Sequence, residues 1–247
     1  MKAKRVKPKN CYEIGDEWNV ICESRHLLIE NGKDLSLTQV TAPFVLSTLK
    51  LIHPYRVLDV GCGTGYLTNE IAKMGIECTG IDLSSKSISI AKKRYESDKV
   101  QFFTNRTKEF TVKTKYDACV ANMVFMDDPE WEKSIYNIRT LTNDPGYLIL
   151  TITHPWFWPK YWGYESEPWF DYNSEIFIEH DFGTTLSDSI GTTTHIHRPL
   201  SHYIKALQRA GYTIELIDEL IPQNEMPDKY EKSYPKFLAF VCRNNCL

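Results

Sequence analysis

The chain has 247 residues, 42% hydrophobic and 25% charged, with 12 Gly and 12 Pro. Such values belong to a globular protein and exclude collagen-like, disordered and small disulfide-framework classes. Lys plus Arg number 29 against 32 Asp plus Glu, a net charge of −3, so the basic excess that neutralises many phosphates is missing and nucleic acid is disfavoured as a partner.

The longest charge-free stretches, Leu35 to Leu49 and Gly146 to Pro159, are too short to span a membrane. No apolar run follows the basic start, so no signal peptide is expected. Seven cysteines occur without a Cys-x-x-Cys pair or a zinc-like His spacing, which reads as reduced structural thiols and no metal site. The cytoplasm is the expected compartment. The one basic cluster, Lys2, Lys4, Arg5, Lys7 and Lys9, reads as a solvated, frayed tail.

In chain order, hydrophobic periodicity predicts a helix over 37–52, a buried strand over 56–60 and a helix over 65–74. A strand over 77–82 follows, then a helix over 84–96 capped by Ser84 or Ser85. Strands over 100–104 and 116–122 come next. A helix over 129–141, with Trp131, Ile135 and Ile138 on one face, leads into a strand over 147–153. The tail adds a helix over 199–210 and strands near 212–216 and 236–242. Strand and helix alternate, so the expected fold is α/β, a doubly wound parallel sheet covered on both faces.

Residues 154–198 interrupt this scheme. Eleven of the first twenty-nine residues are Phe, Trp or Tyr, including four of the six tryptophans. The block follows the carboxyl end of the fifth strand, the edge where open α/β sheets bind ligands. It is therefore a candidate cover or acceptor pocket.

The sharpest motif is Val57-Leu58-Asp59-Val60-Gly61-Cys62-Gly63-Thr64-Gly65, a strand running into three alternate glycines and then a helix. Alternate glycines let a ligand lie against bare peptide groups, and the helix start supplies free N–H donors. The spacing is G-x-G-x-G, not the G-x-G-x-x-G that seats a pyrophosphate, which disfavours a nicotinamide oxidoreductase. Asp59 beside the loop suits a ligand with a cationic end. Asp82, seventeen positions after Gly65, ends the next strand, where a carboxylate can accept bonds from both ribose hydroxyls.

Together these residues resemble the class I S-adenosylmethionine-dependent methyltransferases, in particular bacterial small-molecule members, from about Leu37 to Cys242. The resemblance implies a Rossmann-like seven-stranded sheet with one antiparallel strand. It implies S-adenosylmethionine as cofactor and S-adenosylhomocysteine as product. The ligand loop would be Gly61, Cys62, Gly63 and Gly65, with Asp59 near the methionine ammonium, directly or through water, and Asp82 and Leu83 at the ribose. Tyr116 to Val124 looks like the family's fourth strand, which sets Asn122 beside the transferable methyl. Many members carry an acidic residue on the adenine after the third strand, but here the chain reads Thr104-Asn105-Arg106-Thr107. Arg106 cannot accept a hydrogen bond, so Arg106 and Thr107 enter only as positional candidates for the adenine end.

Tyr12 to Asn19 resembles the segment that folds over the cofactor, with Trp18 screening the sulfonium by its π face. The competing reading is that Tyr12 and Trp18 anchor a helix to the core. His154 and His197 are candidate general bases because a neutral imidazole can take the proton an acceptor releases, or else they bond backbone and shape the pocket. Trp156, Trp158, Tyr161, Trp162 and Tyr164 are expected to bind the acceptor.

The leading expectation is transfer of a methyl group to N, O or C of a small, planar or aromatic molecule by one domain, residues 1–247. Residues 1–36 would be a cap segment and 154–198 a lid. A tRNA or other RNA methyltransferase is the alternative, but 154–198 sets Lys160 and Arg198 against seven acidic residues. A non-catalytic S-adenosylmethionine-binding protein is the other. Monomer and homodimer both remain open.

Overall fold

The computed structural model describes residues 2–222 and 224–244. Cys246 lies outside them. Strand β1 (Lys4–Arg5) and helix α1 (Cys11–Glu30) come first, and a π-helical turn at Ser36–Thr41 leads into α2 (Ala42–Ile52). The alternating part then runs β2 (Arg56–Val60), α3 (Tyr66–Ala72), β3 (Glu77–Asp82), α4 (Ser85–Tyr95) and β4 (Val100–Thr104). It continues with β5 (Tyr116–Asn122), α5 (Trp131–Leu141) and β6 (Thr142–Thr153). After these come α6 (Trp158–Tyr161), β7 (Ile176–Phe182), β8 (Gly191–His197), α7 (Leu200–Arg209), β9 (Tyr212–Leu220) and β10 (Phe237–Asn244).

Seven strands form the main sheet in the order β4-β3-β2-β5-β6-β10-β9. β2 pairs in parallel with both β3 and β5, whereas β10 runs antiparallel to β6 and β9. This is the Rossmann-like sheet with one reversed strand. The chain leaves β2 toward β3 and β4 and returns to β5, which opens a crevice at the carboxyl ends of β2 and β5.

Alternation along each strand assigns its side chains to opposite faces. Val57, Ala118, Val120 and Ile149 pack with Val45 and Leu49 of α2 and Leu67 and Ile71 of α3. Leu58, Val60, Cys119 and Leu150 pack with Trp131, Ile135 and Ile138 of α5 and Tyr203 and Leu207 of α7. Asp59 shares the face of Val57, so its carboxyl enters beneath α3.

The helix expected over 37–52 is split by the π-helical turn, and β6 begins five residues before the expected 147. The segment read either as a cofactor cover or as a helix anchored by Tyr12 and Trp18 forms helix α1. Its start is held by a capping box in which Asn10 Oδ1 accepts from the Glu13 N–H (3.2 Å) and Glu13 Oε2 accepts from the Asn10 N–H (2.8 Å).

The basic N-terminus is not a frayed tail. β1 pairs antiparallel with β7, placing Lys4 opposite Glu179, and β7 pairs with β8 to give a second, three-stranded sheet. Lys2 bonds Glu167, Lys4 bonds Glu179 at 2.6 Å, and Lys9 bonds Glu17 and Glu179, each at 2.5 Å. Lys2, Lys4 and Lys9 thus meet sequence-distant carboxylates of 154–198, Glu167 and Glu179.

Candidate functional site

The crevice at the carboxyl ends of β2 and β5 is a cleft of about 1180 Å³, its open mouth included. Its floor is the glycine loop. Gly61 has φ +66°, and a Cβ there would come within 2.5 Å of Val124 Cγ2. Gly65 has φ +85°, and a Cβ would meet the Phe102 ring at 2.9 Å. Only glycine accommodates both the left-handed backbone and the approach. Gly65 caps α3 and does not line the cleft, whereas Gly61, Cys62 and Gly63 do. A Cβ on Gly63 would stand in open space.

Asp82 closes one side. The Gly63 N–H donates to its Oδ2 (2.8 Å) and the Ser84 N–H to its Oδ1 (2.7 Å), so both oxygens keep a free lone pair. Burial raises its pKa, and those two backbone bonds oppose the shift. Asp59, 1% exposed, accepts from Thr68 Oγ1 of α3 at 2.6 Å. Burial pushes its carboxyl up to about 7 against that bond, with Asp82 adding to the rise.

One stripe of α1 walls the cleft. Cys11, Ile14, Trp18, Cys22, Arg25 and Ile29 all line it, at steps of three or four residues. Trp18 meets Phe182 of β7 edge-on at 5.4 Å, and the Arg25 guanidinium lies over its ring at 5.3 Å. Arg25 Nε stands 3.5 Å from Asp34 and is buried without a hydrogen bond.

The opposite wall is the end of β5 and the loop after it: Asn122, Met123, Val124, Asp127 and Asp128. Asn122 Oδ1 accepts from Thr151 Oγ1 (2.7 Å), and the Met123 N–H donates to the Thr151 carbonyl (3.0 Å). Met123 has φ +60°, a costly conformation for a side-chain-bearing residue that these bonds hold in place.

Leu83, Asn105, Arg106, Thr107 and Lys108 form the far end. Arg106 Nη2 bonds Glu130 at 2.6 Å, and Glu130 also takes Lys108 at 2.7 Å. Those bonds hold the Glu130 carboxyl far below its usual range. Tyr12 is 67% exposed at the rim; its ring lies under Arg106 (5.2 Å) and its hydroxyl accepts from Arg106 Nη1 (3.3 Å).

The acceptor and base candidates of 154–198 are not brought to this cleft. His154 bonds Glu219 through Nε2 (3.1 Å) and accepts the Trp156 N–H at Nδ1. His197 donates Nε2–H to the Tyr172 carbonyl (3.1 Å) and sits edge-on to Phe170 and Tyr172. Burial lowers its pKa to about 4. Trp158 touches Tyr161 and Trp162, Tyr164 stacks on Trp169, and Trp162 stacks on His180. Trp156 packs edge-on against Tyr172 at the surface. The physical reason is that rings such as Trp158 and Tyr164 bury in a core shared with Ile176 and Ile178 of the small sheet and Leu220 and Phe237 of the main one.

Sequence reasoning missed Arg25, Cys22, Asp127 and Asp128. The capping signal at Asn10 and Glu13, followed by the three-and-four spacing from Cys11 to Ile29, was available to find the α1 wall. Among the described residues no three His, Cys, Asp or Glu side chains converge to hold a metal ion. No helix there is long and apolar enough to cross a membrane.

Residues 53–167 match a family model described as a methyltransferase domain. The chain is 33% identical over 93 residues to the malonyl-acyl-carrier-protein O-methyltransferase of Priestia megaterium, covering 37% of this chain and 32% of that one. It is 31% identical over 113 residues to the ubiquinone biosynthesis O-methyltransferase of Coxiella burnetii, covering 42% and 44%. It thus spans a third to under half of these relatives. Burkholderia thailandensis 1,6-didemethyltoxoflavin-N1-methyltransferase, solved with its substrate and S-adenosylhomocysteine, superposes with a TM-score of 0.62. The identity is 14%, over 99% of this chain and 95% of that chain, a likeness of fold.

Proposed function

We propose that this chain, which carries a class I S-adenosylmethionine-dependent methyltransferase domain, transfers a methyl group to N, O or C of a small, planar or aromatic molecule. The observation that carries the reading is Asp82, a carboxylate at the cleft with one lone pair free on each oxygen and its geometry fixed by Gly63 and Ser84. The cleft fits the cofactor on further counts. The Cα of Gly63 faces open space, and Arg25, 3.5 Å from Asp34, keeps a buried Nε without a hydrogen-bond partner among the described residues.

When bound, S-adenosylmethionine supplies an electrophilic methyl on a cationic sulfur. Asp82 holds the ribose hydroxyls, and Asp59 faces the ammonium end from below the loop. Asn105, Thr107 and backbone groups take the adenine end, since Arg106 is committed to Glu130. Trp18 and Met123 flank the space beside Asn122 and keep water out of it.

Residues 1–36 act as cap and 154–198 as lid on a single domain. The lid's aromatic residues stiffen it from within, and the acceptor lies against the α1 and β5 walls. A small acceptor is favoured over RNA because the cleft is enclosed between the α1 stripe and the loop after β5, and the cations at its far end, Arg106 and Lys108, are already paired with Glu130.

Calorimetry should detect binding of S-adenosylmethionine and S-adenosylhomocysteine and none of NADH; the reverse overturns the proposal. A mass-spectrometric screen of phenols, heteroaromatic amines and carboxylic acids, read at low and moderate salt, then defines the acceptor. Loss of turnover by orders of magnitude over that salt range would point to RNA instead.

A further inference from the structure

The loop after β5 places one carboxyl group in the cleft that no other role explains. Asp127 lines the wall, its side chain is 15% exposed, and no hydrogen bond reaches its carboxyl group among the described residues. His195 Nδ1 of β8 stands 4.0 Å from Oδ1, and neither ring nitrogen of His195 has a hydrogen-bond partner there. The two groups therefore face each other across a gap that a small shift of either side chain would close.

The pair is held from two sides. The Ile196 N–H donates to the Met126 carbonyl at 2.7 Å, fixing β8 to the loop, and the Thr194 N–H donates to Glu17 of α1 at 2.7 Å. Asp128 is different, because its carboxylate is already used by Ser134 Oγ (2.6 Å) and the Glu130 N–H (2.7 Å).

We infer that Asp127, positioned by His195, is the proton acceptor of the cleft, and that the methyl acceptor is a neutral nucleophile with a hydrogen to lose, an alcohol, phenol or ring N–H rather than a carboxylate. The inference rests on the methyl-transfer reading. In the step, the nucleophile's lone pair forms the new bond to the methyl carbon. The carbon–sulfur bond breaks with its electron pair returning to sulfur, and the nucleophile's hydrogen passes as a proton to the Asp127 carboxylate. Charge balances: one cation is lost at sulfur as one anion is neutralised at Asp127.

The groups facing Asp127 agree with this cycle. Arg25 and Glu17 approach from α1, Arg198 and His195 from the β8 side, and Asp128 from its own loop. Burial raises the carboxyl well above its ordinary range, with Arg25 and Arg198 opposing. A cationic sulfur nearby favours the ionised form, and its conversion to a neutral thioether returns Asp127 to the protonated one.

The test needs no acceptor. Calorimetry in phosphate and in Tris, from about pH 6 to pH 8, counts the protons released when S-adenosylmethionine or S-adenosylhomocysteine binds. The two ligands differ in the charge on sulfur, so a response of Asp59 to the ammonium is common to both. S-adenosylmethionine should release about half a proton or more in excess of S-adenosylhomocysteine at some pH in that range. Equal release overturns the inference in the wild-type protein alone.

With Asp127→Asn the excess should vanish while S-adenosylhomocysteine affinity stays within about threefold; an excess that persists also overturns it. His195→Gln should move the midpoint of the excess to higher pH, and an unmoved midpoint removes His195 from the pair. Methylation of carboxylic acids alone in the acceptor screen overturns the acceptor class. Failure of both ligands to bind counts against the cofactor reading instead.

Discussion

Beneath the glycine loop burial acts on two carboxyl groups, Asp59 and Asp82; in the insertion and under it burial acts on four bases, His154, His195, His197 and Lys236. Both sets are shifted toward neutrality by burial. Lys236 shows how the second region does it. Its ammonium lies 3.8 Å from the Tyr230 ring and 4.2 Å from the Tyr161 ring, with no carboxylate bonded to it among the described residues, and burial lowers its pKa to about 8. On the proposed reading, the acids of the cleft meet a cationic ligand end and ribose hydroxyls. The insertion keeps bases because aromatic faces tolerate a neutral imidazole or a caged ammonium. One fold therefore contains two regions that respond to pH in opposite senses.

The largest test of that contrast cuts the joint between the regions. Arg198 is fully buried, donating to Glu175 (2.5 Å) and to the Phe125 and Asp128 carbonyls (2.6 and 2.9 Å), with its guanidinium over Trp131. Arg198→Ala should cost about 3 kcal/mol in chemical unfolding, because two buried carbonyls lose their donors. Hydrogen exchange should accelerate in β7 and β8 before the main sheet.

Next comes pH itself. Asp59 is raised from 3.8 to about 7 in the fold, so its contribution is present at low pH and lost as pH rises through about 7. Between pH 5 and pH 8 it removes about 3 kcal/mol. His197 is lowered from 6.5 to about 4, so its contribution is present above about 6.5 and falls with acid. It removes about 2 kcal/mol by pH 5. Urea midpoints across that range should lose their alkaline slope in Asp59→Asn and their acid slope in His197→Gln. Equal slopes in both variants and the wild type would break the comparison.

Asp82→Ala should weaken S-adenosylmethionine binding by about 1–3 kcal/mol in calorimetry, through stranded hydroxyls and a loosened Gly63. The smallest effect belongs to Lys4, whose pair with Glu179 is half exposed. Lys4→Ala should change the urea midpoint by less than about 0.5 kcal/mol.

The two regions also differ in how far their sequence discloses them. The main sheet is legible because each strand and helix is fixed by its own period, and the loop from Asp59 to Gly65 because left-handed backbone needs glycine locally. The cleft's α1 wall carries equally local signals in the Asn10–Glu13 cap and the three-and-four spacing from Cys11 to Ile29. The insertion is another case. Whether Trp158 or Tyr164 faces a ligand or another ring depends on pairings between β1, β7 and β8 that no short window contains. The opposition of Asp127 and His195 joins residues from a loop and a strand 68 positions apart. Charge patterning misled for the same reason, since no residue near Lys4 and Lys9 in sequence discloses Glu179 as their partner.

The β1–β7 pairing imposes an order on synthesis. Lys4 is made 175 residues before its partner Glu179, and at about 5–20 residues per second the ribosome takes roughly 10–35 s to cover that distance. During this interval the first segment carries its lysines and unpaired backbone with no strand to join. By the time β7 emerges, the β2–β6 portion of the main sheet has already been synthesised. The small sheet therefore waits on β7 and β8 before β1 has a partner, and β10, which completes the main sheet between β6 and β9, is made later still.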